Sequence, residues 1–291
     1  MKKKMKVLST EELRKAELDI LKCIAEFCDQ KGLRYNLCGG TLLGAVRHHG
    51  FIPWDDDIDI QMPRPDYIRF VSEFNGFNDN YVVKSIENDR NYWQTYAKIM
   101  DKRIYLKDDM LRIPESDQRV LVDCFPVDGL PVNRESQKKL FREQEFLHIL
   151  YAGSSYNYKK SKRYIDSADS LGEIKEFFRT CFKYLAITLF RCFPRNKIIK
   201  LINKNASKIS FETSDEVASI VDCHWGCEKE RMPRKEYEKR QKFQFEGEQF
   251  WGTSAYDLYL TNLYGDYMTP PPKDKQVSHH GFTAYWIDEK N

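Results

Sequence analysis

The run GGTLLGAVRHHGFIPWDDDIDI at 39–60 holds the side chains of this sequence best suited to chemistry. Asp57 and Asp59 alternate with Ile58 and Ile60. On a strand, residues i and i+2 point to one face, with backbones roughly 6–7 Å apart. Two carboxylates so placed can converge on a hard cation, which prefers oxygen ligands. Gly39 and Gly40 read as a turn that lets a phosphate reach bare backbone N–H groups. These are the parts of a metal-dependent site acting on a nucleotide or a phosphoester. The competing reading of the acidic run is an exposed turn. The isoleucines between the acids mark a buried strand instead, and inward-facing carboxylates need a partner or a metal.

The elements that must position these groups follow from local patterns. Ser9 and Glu12 have capping-box spacing and open a helix, which Leu13, Leu18, Leu21, Ile24 and Ala25 give an apolar face and Gly32 closes. Residues 34–38 read as a strand feeding the Gly-Gly turn, and Leu42 to Arg47 as a short helix ending near Gly50. The acidic strand spans 57–62 and is stopped by Pro63. Pro65 suits the first turn of a helix over about 65–75. Residues 81–86, 93–100 and 119–125 read as strands, 134–151 as a helix, 217–222 and 242–246 as strands, and 253–264 as a helix. The pattern is α/β with a small mixed sheet.

A chain of 291 residues can bury a sizeable core in one catalytic domain with an insertion. A net charge of only +3 gives no global attraction for nucleic acid, so no nucleic-acid partner is expected. The eight cysteines have no CxxC pair and read as reduced cytosolic thiols. Cys223, His224 and Cys227 supply at most three zinc ligands, and ordinary structural cysteines are the preferred reading. The basic start MKKKMKVLSTEELRKAE lacks an apolar signal region, and no run reaches the roughly 18–20 apolar residues of a spanning helix. A cytoplasmic protein is expected.

The 39–60 run resembles the signature of the LicD/fukutin-related phosphotransferases, members of the nucleotidyltransferase superfamily whose palm is shared with DNA polymerase β. YAKIMD at 96–101, VDCFPVDGLP at 122–131 and YLTNLYGDYMTPPPKDKQVSHH at 259–280 resemble further family elements. The stretch from about 145 to 215 matches none of them. The resemblance implies a polymerase-β-like nucleotidyltransferase palm, a small mixed sheet with flanking helices. It would occupy 9–145, with a helical basic insertion at 146–215 and a C-terminal part, 216–291, completing the catalytic domain.

On that reading Asp57 and Asp59 hold two Mg²⁺ (or Mn²⁺) ions about 4 Å apart. Asp123, an acid inside the apolar strand Leu121–Phe125, is the third carboxylate; its other reading is a buried acid bonded to backbone. Gly39, Gly40 and Thr41 cradle the nucleotide phosphates, with the Thr41 hydroxyl as an added donor. Arg47 and His48 follow on the helix, where Arg47 either pairs with a phosphate or sits at the surface near a helix C-terminus. Lys98 projects toward the same phosphates. Asp55 and Asp56 read as turn residues, and Asp128 as a turn cap before Gly129. His280, or its neighbour His279, deprotonates the acceptor hydroxyl, binds its phosphate, or only anchors the tail.

The resemblance further implies a CDP-activated alcohol donor, CDP-choline first. Its phosphocholine passes to a sugar of a lipid-linked surface glycan (teichoic acid, lipopolysaccharide or capsule), and CMP leaves. A quaternary ammonium binds ring faces, and Trp54, Tyr92, Trp93, Tyr96 and Trp286 are available. Residues 174–208 add an apolar helical stripe and nine Lys or Arg against one acid, Glu176. That suits peripheral contact with an anionic membrane, the inner face of the cytoplasmic membrane; the alternative is a helix pair packed on the palm. Two other functions stay open: a nucleotidyltransferase passing NMP to an acceptor, and an inactive glycan-binding homologue.

Overall fold

The computed structural model describes residues 6–107, 113–155, 189, 193–222, 226–276 and 283–287. Helix α1 (Thr10–Lys31) opens as its sequence predicts. The Ser9 hydroxyl accepts from the Glu12 N–H, and the Glu12 carboxylate accepts from the Ser9 N–H. Gly32 closes it at φ 63°, a left-handed conformation that glycine adopts without steric cost. Leu13, Ile20, Leu21, Ile24 and Phe27 lay its apolar face on the sheet.

The sheet is mixed and flanked by helices, as the α/β reading expects, but it is not small. Among the described residues ten strands join it: β1 (Asn36–Leu37), β2 (Asp59–Pro63), β3 (Tyr81–Lys84), β4 (Ala97–Lys107), β5 (Arg119–Gly129), β6 (Glu216–Ala218), β7 (Met232–Pro233), β8 (Arg240–Phe245), β9 (Glu248–Thr253) and β10 (Thr283–Trp286). The main path runs β10-β4-β5-β2-β1-β9-β8. β2 pairs parallel with β5 and β1 parallel with β9; the other pairs are antiparallel. Among the described residues the further helices are α2 (Gly39–His48), α3 (Arg64–Glu73), α4 (Arg134–Ser155), α5 (Arg195–Ala206), α6 (Arg234–Tyr237) and α7 (Tyr256–Tyr264).

Several boundaries depart from the expectations. α2 begins at Gly39, so the two glycines are its first turn rather than a turn before it. β4 starts at Ala97; Tyr92 and Trp93 lie buried in the bend that precedes it. β5 continues through Pro126 to Gly129. Its β4 partner ends opposite Cys124, so the missing N–H of Pro126 leaves no ladder bond unmade on that side. Strand β9 replaces the expected start of a helix at 253, and β10 was not expected. β8 and β9 form a hairpin through Glu246 and Gly247, both at positive φ, the two-residue loop that matches strand twist.

The main core gathers α1, α2, α3 and the sheet, with Phe27 packed edge-on against Phe70, Phe74 and Phe77. A second cluster joins α4 to α5 through Leu140, Phe141, Ile198, Ile202 and Ile220. Of the apolar stripe expected over 174–189 only Leu189 is described, and it is exposed; the rest lies outside the described residues, as do Cys223, His224, His279 and His280. Among the described residues no helix is long and apolar enough to cross a membrane. Cys23, Cys28, Cys38 and Cys124 are buried free thiols. Cys227 is disulfide-bonded, which departs from the expectation of reduced thiols throughout and removes it as a free zinc ligand.

Candidate active site

Three neighbouring strands bring Lys98, Asp123 and Asp59 into one row. Asp123 on β5 stands opposite Lys98 on β4 and opposite Asp59 on β2. Directly opposed residues share a face of the sheet, so the register itself places these groups together. The Lys98 ammonium donates to both Asp123 oxygens, at 2.6 and 2.9 Å, and the Tyr96 hydroxyl donates to Oδ2 at 3.2 Å. Lys98 is only 6 % exposed and lies 5.1 Å from the Tyr96 ring centre and 5.7 Å from that of Trp93. Two of the rings proposed for a choline cage thus already face a cation of the chain itself. Trp286 on β10 lies against Arg103 on β4, and Trp54 stands edge-on to His48.

Asp57 precedes β2 and Asp59 opens it. Between them Ile58 is buried, and its carbonyl accepts the Asp123 N–H at 2.9 Å, which ties the acidic segment to β5. Burial pushes the Asp59 carboxyl well above the usual carboxylate range. The charges of Asp57, Asp123 and Asp55 push further the same way, and Lys98 opposes them. Glu17, buried on α1, is pushed up by the same causes: burial first, then Asp57, Asp56, Asp123 and Asp55. Negative charge is thus concentrated around Asp59 and Glu17.

The glycines make room for these acids. A Cβ on Gly40 would sit 2.7 Å from Asp55 Oδ2, and one on Gly39 would sit 3.2 Å from Asp59 Oδ2. Gly39 is also at φ 53°. The Thr41 hydroxyl accepts from the Asp59 N–H at 2.8 Å and is buried. It fixes the acidic strand to α2, and its own O–H remains as the donor expected toward a phosphate. The Gly39 N–H donates to the Tyr259 hydroxyl at 3.3 Å, so the phosphate cradle expected at 39–41 has one of its donors already engaged. Arg47 donates to the Tyr267 carbonyl at 2.6 Å and to His48 Nε2 at 2.9 Å. Burial and then the Arg47 charge hold the His48 imidazole below its ordinary value. Arg47 and His48 thus anchor the end of α2 to the chain after α7.

The donor set suits a hard divalent cation: it is all carboxylate oxygen, and Asp59 is held where added positive charge relieves it. Asp57 and Asp59 are the residues that would hold such an ion. Among the described residues no three His, Cys, Asp or Glu side chains already converge as a cage. Asp123 is occupied by Lys98, so it joins an ion only by sharing that ammonium.

The family model described as LicD/FKTN/FKRP, nucleotidyltransferase domain, matches residues 32–149. Over 283 residues, 97 % of this chain and 99 % of the relative, the sequence is 30 % identical to the lipopolysaccharide cholinephosphotransferase LicD of Haemophilus influenzae. The chain belongs to the LicD family of transferases. Two shorter likenesses, both 45 % identical, are to uncharacterised proteins of Rickettsia typhi, over 51 residues, and Rickettsia prowazekii, over 49. They cover 18 % and 17 % of this chain, and 16 % and 18 % of those proteins.

Within this LicD-family site, several residues escaped the sequence reading. Arg14 on α1 donates to the carbonyls of Ile52, Pro53 and Asp55, clamping the turn that carries the acidic run. Glu17 had a signal: it falls on the stripe Leu13, Ile20, Ile24, where an acid is out of place. Asp128 is no turn cap. It lies within β5, 1 % exposed, and accepts from Arg64 Nε at 2.8 Å and Nη2 at 2.5 Å. Glu230 and Tyr259 meet above Gln61, and nothing in the charged run Glu228–Arg231 marks Glu230 out.

Proposed function

We propose that this chain transfers a phospho-alcohol head group, phosphocholine first, from a CDP-linked donor to a sugar of a lipid-linked surface glycan, with CMP leaving. The observation that carries the reading is the row Lys98–Asp123–Asp59 beside the first turn of α2, in a chain similar over nearly its whole length to a lipopolysaccharide cholinephosphotransferase. Phosphoryl transfer depends on positioning and charge neutralisation more than on covalent chemistry from the protein. The positive end of α2 and the Lys98 ammonium supply fixed positive charge, and Asp57 and Asp59 would hold Mg²⁺. A bound Mg²⁺ would neutralise the negative charge that builds on the phosphate of the departing CMP. Arg14 and Thr41 keep the acidic run in place against both.

The exposed face of α5 supports peripheral contact with an anionic membrane at the cytoplasmic side. Lys197, Lys200, Leu201 and Lys204 lie there, and the three lysines carry no ion pair among the described residues. Such a surface would hold the enzyme near a lipid-linked acceptor.

Product analysis tests the reaction. Purified protein with Mg²⁺, a glycan acceptor and CDP-choline, CDP-ethanolamine, CDP-glycerol or CDP-ribitol should release CMP from one donor and add the matching phospho-alcohol mass to the glycan. Pyrophosphate release from a nucleoside triphosphate, with no turnover of any CDP donor, would establish NMP transfer instead.

A further inference from the structure

Glu230 stands in the loop before β7, where the C-terminal part of the chain meets the acidic site. Its Oε2 accepts from Gln61 Nε2 at 3.3 Å and from the Tyr259 hydroxyl at 3.3 Å. Oε1 has no hydrogen bond among the described residues. Both partners belong to the site. Gln61 follows Asp59 by two positions on β2, so the two share a face. Tyr259 accepts the N–H of Gly39, the first residue of α2. The Tyr264 hydroxyl feels both carboxylates: after burial, the charges of Asp59 and Glu230 are the largest influences that raise it.

We propose that Glu230 is the general base that takes the proton from the acceptor hydroxyl. This rests on the transfer reaction proposed above. The acceptor O–H bond breaks and its proton passes to Oε1 of Glu230. The freed oxygen pair forms a bond to the phosphorus of the phospho-alcohol group, and the bond from that phosphorus to the CMP oxygen breaks, CMP taking the pair. The proton then leaves Glu230 for solvent, which restores the base. Gln61 and Tyr259 hold Oε2 so that Oε1 alone is presented.

The surroundings suit a base that works near neutrality. Burial raises the Glu230 carboxyl, with a smaller push from Asp222, against the pull of the Gln61 and Tyr259 hydrogen bonds, to about 7. Cys38 just before α2, Asp59 on β2 and Tyr264 on α7 are its titratable neighbours, and none supplies positive charge. The adjacent cations point elsewhere: Lys229 to the Leu263 carbonyl and Arg231 to Gln137. A base matched to the working pH contributes roughly 10²–10⁴-fold.

The test combines Glu230→Gln, Glu230→Asp, Tyr259→Phe and His280→Ala. Donor affinity is read by calorimetry and transfer by CMP release from pH 5.5 to 8.5. Glu230→Gln should bind donor within about twofold of the parent, lose roughly 10²–10⁴-fold in transfer, and lose the acidic limb near pH 7. Glu230→Asp should recover part of the rate. Tyr259→Phe, lacking a bond to the charged form, should move the limb to higher pH. An acidic limb that survives in Glu230→Gln, or that vanishes in His280→Ala alone, overturns the proposal. Carboxyl-¹³C NMR of the parent minus Glu230→Gln gives a readout free of any donor: a midpoint below pH 5 also overturns it. If no CDP donor turns over, the transfer reading fails by itself. The same limb is then read on pyrophosphate release, where its persistence in Glu230→Gln overturns the base role.

Discussion

Strand β5 carries an ion pair at each of two places, and they behave oppositely. At Asp128 the Arg64 guanidinium grips both carboxylate oxygens, and its Nη1 donates to Asn203 at 3.1 Å. Both carboxylate oxygens are used, and Glu87 adds a second carboxylate 3.7 Å from Nη1. At Asp123 the partner is an ammonium with no fixed fork, and the charges of Asp57, Asp123 and Asp55 all bear on the neighbouring Asp59. One pair joins α3 and α5 to the sheet. The other stands in a concentration of negative charge beside the start of α2. The carboxylate that serves the fold meets a guanidinium fork on both oxygens, and the one placed for chemistry has like charges for neighbours.

That contrast can be broken by substitution. Asp128→Ala strands a buried guanidinium and should cost about 3–5 kcal/mol of unfolding free energy in denaturant titration. A cost below about 1 kcal/mol would show that the Arg64–Asp128 pair does not hold the fold. Asp59→Asn should do the reverse. Turnover should fall more than about 100-fold, beyond what outlying partners of a metal site cost. The melting temperature should hold or rise, because a crowding charge is gone; a drop like that of Asp128→Ala would erase the distinction. Asp57→Asn should follow Asp59→Asn.

Arg14→Met sharpens the comparison from the side. It removes charged hydrogen bonds to three carbonyls, each of that kind worth about 1.5–3 kcal/mol. Because Arg14 is partly exposed, a loss of about 1–2 kcal/mol is expected, with weaker donor binding measured by calorimetry. Unchanged binding would mean that the acidic turn holds its shape without the clamp.

A smaller effect comes from Glu230. Its folded value of about 7 lies above the ordinary 4.5, so the folded state holds the proton more tightly than the unfolded chain. The stability this provides is complete below pH 4.5 and is lost as pH rises toward 7. Glu230→Gln should flatten that part of the stability profile, seen as a melting temperature raised at pH 8 but not at pH 4.5 relative to the parent. A parallel shift at both would place the effect in packing. The smallest effect concerns α5. Lys197, Lys200 and Lys204 changed together to Glu should weaken co-sedimentation with anionic vesicles, each lysine contributing up to about 1 kcal/mol. Binding insensitive to salt and to these changes would leave the helix as a cover for the palm.

What the sequence disclosed was governed by short range. The capping box at Ser9, the stop at Gly32, Pro65 in the first turn of α3 and the buried Ile58 and Ile60 are all local, and all are found in the structure. β9 and β10 are strands because of distant partners: Leu37 meets Gly252, and Tyr105 meets Tyr285. Periodicity cannot announce a partner some 200 residues away. The start of α2 was misplaced because glycines read as a turn, whereas here they clear space for Asp55 and Asp59. Asp128 looked like a cap because Pro126 precedes it, and only the end of β4 explains why the strand runs on. Asp57, Asp59 and Asp123 stood out as acids among apolar residues. Arg14, Glu230 and Tyr259 did not, since they act through contacts that cross the whole chain.

The bond from the Gly39 N–H to Tyr259 gives the site an order of assembly in time. Residues 59–123 contain the Lys98–Asp123–Asp59 row, so a growing chain can form it once about 40 % of its length has been made. Tyr259, β9 and β10 are synthesised more than a hundred residues later. Until they arrive, the nascent protein carries an acidic half-site whose first helical turn has lost its tether, and an open strand edge at β1 and β4. Contacts this distant in sequence form slowly, and exposed strand edges invite wrong pairing. The interval between the two halves is therefore when a ribosome-associated chaperone would matter most.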